Sequence, residues 1–183
     1  RARRAPGRDP AVEALLRHRR VMRIYRIADT RHPIWDGTGA ALLGGRWNSP
    51  GRAAIYGSLS SACAMLEILA HAGIGRIPGA QEIVIAKVPD EDALVERHDR
   101  ESLPEGWDAE DSGVARQLGD DWLASRRSLV LVVPSVVARL EFNAVVNPAH
   151  PDFPRMREVR PRRWVWKRSW YGGFHERNGR KCG

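Results

Sequence analysis

Leu129 to Val133 is an uninterrupted apolar run closed by Pro134. As a strand it has no face to offer to water, so it must lie in a sheet covered on both sides. A chain carrying such a strand folds in layers, with helices or loops packed over a central sheet. The remaining segments supply those parts. Val21 to Ile27 alternates as a strand, with Met22, Ile24 and Arg26 on one side and Arg23, Tyr25 and Ile27 on the other. Ala53 to Tyr56, Ile83 to Val88 and Phe142 to Val146 read as further strands. Asp36 to Gly51 carries five glycines and reads as a turn or loop. One helix is capped by Ser58 or Ser60 and runs to about His71, where Gly73 and Gly75 stop it. Another spans Ser112 to Arg126, with Val114, Leu118 and Trp122 at helical spacing. Residues 90–111 are polar, contain Pro104 and Gly106, and read as a long surface connection. The sum is a mixed α/β (α+β) fold, and 183 residues suit one domain better than two.

Charge divides the chain into three parts. Residues 1–20 hold seven arginines against Asp9 and Glu13, a net of +5, with a short helix expected over Pro10 to Arg20. Residues 155–183 hold ten lysines and arginines against Glu158 and Glu176, a net of +8. The centre keeps 13 basic and 18 acidic residues, a net of −5. The expected organisation is a basic arm over 1–20, a folded body over 21–154 and a basic tail over 155–183. The tail contains Trp164, Trp166 and Trp170 among its arginines, a mixture that can stack on nucleic acid. A groove that tracks phosphates carries its basic patch on the fold itself, and this body is acidic. Direct nucleic-acid binding is therefore expected only through the tails, if at all. No apolar stretch reaches the roughly 18 residues of a membrane span, and the arginine-rich start lacks the apolar segment of a secretory signal. Two cysteines, Cys63 and Cys182, make no disulfide framework, so a reducing cytoplasm is expected.

Three residues stand in company that does not suit them. Glu67 lies in Ala62-Cys63-Ala64-Met65-Leu66-Glu67-Ile68-Leu69-Ala70, a helix with no other charge nearby. Its neighbours at helical spacing are mostly small, which leaves room beside the carboxylate. Such a carboxylate either pairs with an arginine for structure or serves a ligand. Arg26 shares a strand face with Met22 and Ile24, so its guanidinium is drawn inward and needs an anion. Arg46 follows Gly44-Gly45, where the backbone can approach a bound molecule closely, and guanidinium forks grip phosphates bidentately. Other motifs fall short. Gly37-Thr38-Gly39 lacks the later glycine of a dinucleotide fingerprint, the six histidines show no metal-ligand spacing, and Ser135 has no nucleophile elbow around it.

Six segments in order resemble the RES-domain toxins, a family named for an arginine, a glutamate and a serine. They are Ile24-Tyr25-Arg26-Ile27, Gly44-Gly45-Arg46-Trp47-Asn48-Ser49-Pro50-Gly51, Ala54-Ile55-Tyr56, Leu66 to His71, Val133-Pro134-Ser135 and Asn147 to Phe153. The resemblance implies a fold similar to that of ADP-ribosyltransferases and a toxin that degrades NAD by cleaving its nicotinamide–ribose bond, by hydrolysis or phosphorolysis. It implies NAD as substrate, with no catalytic cofactor or metal. It also implies a cognate Xre-like helix-turn-helix antitoxin, and allows a homodimer within their complex. Carried over residue by residue, it assigns Glu67, Arg46 and Ser135 to catalysis and Arg26, Arg46, Tyr56 and Ser135 to NAD binding. Two other readings stand beside it: a protein-directed ADP-ribosyltransferase using the same site, and a basic nucleic-acid-binding protein acting through its tails.

Overall fold

The computed structural model describes residues 21–29, 33–72 and 81–159. The helix expected over Pro10 to Arg20 and the tryptophans of the tail lie outside them. Seven strands build one sheet: β1 Val21–Asp29, β2 Ile55–Ser58, β3 Gln81–Pro89, β4 Val95–Arg97, β5 Val130–Pro134, β6 Phe142–Val146 and β7 Arg157–Val159. Their order across the sheet is β4-β5-β6-β2-β1-β3-β7. The β4–β5 pair is parallel and every other pair is antiparallel. Among the described residues three α-helices accompany the sheet: α1 Thr38–Leu43, α2 Ser61–Ala72 and α3 Gly113–Ser125. The chain is a mixed α/β domain, as its patterning implies.

β5 is buried at all five positions. Val130 and Val132 enter one apolar layer with Met22, Ile24, Val88 and Val146. Leu131 and Val133 enter a second layer with Trp47, Trp107, Trp122 and Val145, which lies under α3. The expected cover on both faces is thus present. α2 closes a third, smaller layer, in which Ala64 packs with Ile27 and Ile83.

The differences from the sequence reading have local causes. Asp36 to Gly51 is not all loop, because α1 forms within it. Asp36 starts that helix by accepting from the Thr38 backbone N–H at 2.6 Å and its hydroxyl at 2.5 Å. Asn48 then holds it from outside, donating to the Ala40 carbonyl at 2.8 Å. Glycine content hid a helix that depends on these tertiary bonds, since none of its residues is buried. The connection over 90–111 contains β4 and is pinned to the core by Leu94, Val95, Leu103 and Trp107, all buried. A three-residue strand has too little pattern to be read from sequence. β7 pairs with β3 through Arg157, Glu158 and Val159, past position 154. Of the two serines expected to cap α2, Ser60 accepts from the Cys63 N–H at 3.1 Å, and Ser58 is engaged elsewhere.

Two glycines let the layers close. At Gly57 an added Cβ would stand 2.5 Å from Ile24 Cγ2 and 3.0 Å from the Tyr25 carbonyl oxygen, so β2 crosses β1 closer than any side chain permits. The two strands match at one pair, Tyr25 with Ser58, whereas β1 and β3 match over nine residues. Beyond that crossing β1 and β2 share no ladder, and the site lies there. Gly119 of α3 sits against the backbone of Trp47.

Candidate active site

A cleft of about 640 Å³ opens where β1 and β2 part, bounded by α1, α2 and the turn between β5 and β6. Arg26, Arg46, Tyr56 and Glu67 all line it, so four of the five residues singled out in the sequence come together. The fifth, Ser135, is fully buried behind the wall and does not line it.

Glu67 enters from α2. Its Oε1 accepts from the Ser135 hydroxyl at 2.8 Å and from Asn143 Nδ2 at 2.6 Å. Its Oε2 accepts no hydrogen bond from the described residues. Ser135 Oγ in turn accepts from the Ala138 backbone N–H at 2.8 Å, which leaves the hydroxyl proton for Glu67. Ser135, which the resemblance assigns to catalysis and NAD binding, here grips the Glu67 carboxylate from behind.

Arg26 enters from β1. Where the β1–β2 ladder ends, its Nη1 donates to the Tyr56 carbonyl at 2.6 Å. Its Nε is buried without a hydrogen-bond partner. Burial pulls this guanidinium below its ordinary pKa, and the charge of Asp36 opposes the shift. Among the described residues it forms no salt bridge with Glu67, so the sequence expectation of a possible structural pair is not what the fold builds. A half-buried cation whose Nε is buried and unused, at the edge of a cleft, favours an anionic ligand.

Arg46 stands on the opposite rim. Its Nη1 donates to the Trp107 carbonyl at 3.2 Å and the Ala109 carbonyl at 2.8 Å, tying the α1–β2 loop to the segment before α3. Trp47, the next residue, stacks on Trp107 with ring centroids 6.2 Å apart. Tyr56 does not present a free hydroxyl. Its OH donates to Asn48 Oδ1 at 2.6 Å and accepts from the Trp47 N–H at 3.0 Å. Burial holds the phenol well above its ordinary pKa. Only the ring is left for a ligand. His71 also lines the cleft, one turn beyond Glu67, with Nδ1 2.7 Å from the Glu67 carbonyl oxygen. Among the described residues no three His, Cys, Asp or Glu side chains gather as a metal ion would require.

The sequence reading gave no site role to Asn143, Ser58 or Asn48. Asn143 had a usable signal: it shares a strand face with Val145, so its amide is drawn toward the interior of an otherwise apolar strand. Asn48 had none, because its three carbonyl partners, Ala40, Ser49 and Arg52, are known only once the loop is folded.

A family model described as the RES domain matches residues 23–167. The Prs ADP-ribosylating toxin of a Sphingobium species is 41% identical over 133 residues, covering 72% of this chain and 83% of that protein. Toxin Res of Yersinia enterocolitica is 36% identical over 135 residues, covering 72% and 88%. Toxin Res of Photorhabdus laumondii is 33% identical over 135 residues, covering 72% and 85%. Among solved structures, a chain of the M. tuberculosis MbcT–MbcA toxin–antitoxin complex superposes with a TM-score of 0.65 at 19% identity, covering 79% of this chain and 85% of that one. That last likeness is one of fold.

Proposed function

This chain belongs to the RES-domain family, and from that premise we propose that it is the toxin of a toxin–antitoxin pair and that it cleaves the nicotinamide–ribose bond of NAD. One observation carries the reading: a carboxylate held by one oxygen, with the other accepting no bond from the described residues, in a cleft that also takes a half-buried arginine with an unsatisfied Nε. Breaking a glycosidic bond to nicotinamide passes through an oxocarbenium-like state, which a fixed carboxylate stabilises. Glu67 would serve that positive charge, while Arg26 and Arg46 would take the pyrophosphate and the Tyr56 ring would flank nicotinamide. The cleft volume falls within the range of small-molecule sites. Hydrolysis or phosphorolysis is the first reading for the acceptor. Transfer to a protein is the second, favoured by the name of the 41% identical relative.

The test is to incubate the purified chain, alone and with a bacterial lysate as the source of acceptor protein, with NAD labelled in its ADP-ribose part. Free nicotinamide together with soluble labelled ADP-ribose or its phosphate supports the first reading. Label retained on protein supports the second, and no nicotinamide release overturns both. The partner expected is an Xre-like helix-turn-helix antitoxin in the cytoplasm, in keeping with relatives named as toxins. No helix of the described residues is long and apolar enough to cross a membrane.

The arginines allow a separate check. Arg46→Lys keeps the charge and loses the planar fork, so affinity for NAD should fall about tenfold, or 1.4 kcal/mol. Calorimetric titration of the folded variant decides it. Unchanged affinity would reduce Arg46 to its two carbonyl contacts.

A further inference from the structure

We propose that Asn143 is a positioning residue for Glu67, and that Ser58 keeps its amide turned the way Glu67 needs. The inference deepens the NAD reading and rests on it for its kinetic consequences.

It begins in strand register. Ser58 on β2 and Asn143 on β6 are direct cross-strand partners, which brings their side chains together on one face. Ser58 Oγ donates to Asn143 Oδ1 at 2.7 Å, and Cys63 Sγ stands 3.4 Å from the same oxygen. Burial pushes the Cys63 thiol up, so it keeps its proton and can donate as well. With donors on its oxygen, the amide has its nitrogen facing the other way, toward Glu67 at 2.6 Å. The reverse orientation would set a carbonyl oxygen against a carboxylate oxygen, with neither carrying a proton.

Ser58 and Cys63 are buried, with 2% and 0% exposure, so water does not compete for these bonds. Ser135 completes the grip from β5, and both donors reach the same carboxylate oxygen. A single bond would leave the carboxylate free to swing about its terminal torsion. Two donors on Oε1 set its plane and leave Oε2 for the cleft. Each neighbour that contacts the carboxylate does so as a donor.

The titratable groups around Glu67 are Cys63 and His71 on its own helix, Arg26 on β1, Tyr56 on β2 and Glu141 in the β5–β6 turn. None of them supplies the contact that Asn143 makes. Asn143→Asp keeps the size and replaces that donor with a second carboxylate. Two carboxylates at such a distance cannot both ionise easily, and the pair titrates with its upper value raised.

The experiment uses the full chain labelled with ¹³C at glutamate carboxyls, with Glu67→Gln to identify the Glu67 signal. In Asn143→Asp the titration of Glu67 should move up by about one pH unit or more. The acid limb of nicotinamide release should move with it. In Ser58→Ala, whose amide has lost its main lock, Glu67 should titrate higher by a smaller step. There kcat should fall several-fold, KM should stay within about twofold, and Ser58→Thr should recover the rate. A merely structural Asn143 would lower the melting temperature of Ser58→Ala, which adds no charge beside Glu67, and leave the Glu67 titration and kcat where they were. That outcome overturns the proposal, as does an unmoved Glu67 titration in Asn143→Asp. If the wild-type chain releases no nicotinamide, the NAD reading fails while the carboxyl titration still decides the role of Asn143.

Discussion

Glu67→Gln should bind NAD with nearly unchanged affinity and release nicotinamide slower by roughly a hundredfold or more, the usual cost of removing an electrostatic stabiliser of a charged transition state. The substitution is close to silent for the fold. The Gln carbonyl oxygen can take the place of Oε1 and still accept from Ser135 at 2.8 Å and Asn143 at 2.6 Å. Its NH₂ group then replaces Oε2, the oxygen left to the cleft. What disappears is the negative charge where a positive ribosyl centre would develop, and a group needed only in the transition state alters kcat far more than binding. Nicotinamide release and NAD titration on the same preparation separate the two effects. Turnover at the wild-type rate would remove Glu67 from the chemistry. Equal loss of affinity and rate would make it a binding group instead.

The residues carrying that argument were legible in the sequence to different degrees, for physical reasons. Glu67 and Arg26 could be found because a charge in apolar surroundings violates the pattern of its own element, and the pattern is visible in one dimension. β5 could be read for the same reason, since five apolar residues in succession admit no solvent face. Ser135 was assigned to the site by resemblance alone. A serine after a buried strand has no distinguishing neighbour in sequence, and only the β5–β6 turn shows it accepting from Ala138 and donating to Glu67. Ser58 was read as a helix cap because serines before an apolar helical stretch generally are. The β2–β6 register instead places it opposite Asn143, and Ser60 does the capping. β4 and α1 escaped because each is short; β4 is held by pairing with the distant β5, and α1 by side-chain bonds from the loop residues around it. Local pattern therefore identified the groups that the fold must accommodate. The contacts that orient them arise from strand register and loop closure.

Gly119 shows how far such a contact can act. An added Cβ at this position would lie 2.0 Å from the Trp47 carbonyl oxygen and 2.7 Å from its carbonyl carbon. These are backbone atoms, so no side-chain rotation relieves the overlap. Alanine is the better helix former by up to about 1 kcal/mol, which sets the gain on offer in Gly119→Ala. Overpacking against well-fixed groups typically costs about 1–3 kcal/mol, and an overlap this deep belongs at or beyond the upper end. A net loss of about 2 kcal/mol should lower the melting temperature by roughly 4–8 °C for a domain of this size. Neither side yields easily. On one side α3 is fixed by the fully buried Trp122, whose indole N–H donates to Ser128 at 2.7 Å. On the other, Trp47 is buried against Trp107, and Asp120 of α3 also binds Ser49 through its backbone N–H at 2.9 Å and its hydroxyl at 2.5 Å. The loop that moves is the one bearing Arg46, whereas the Glu67 network hangs on β5, β6 and α2. Gly119→Ala should therefore lose NAD affinity more than it loses kcat at saturating NAD. Calorimetry of the melt and steady-state kinetics would test the two halves together. A variant that melts at or above the wild-type temperature would mean that α3 has slack against Trp47, and the stated dependence of the Arg46 rim on this one missing methyl group would fall with it.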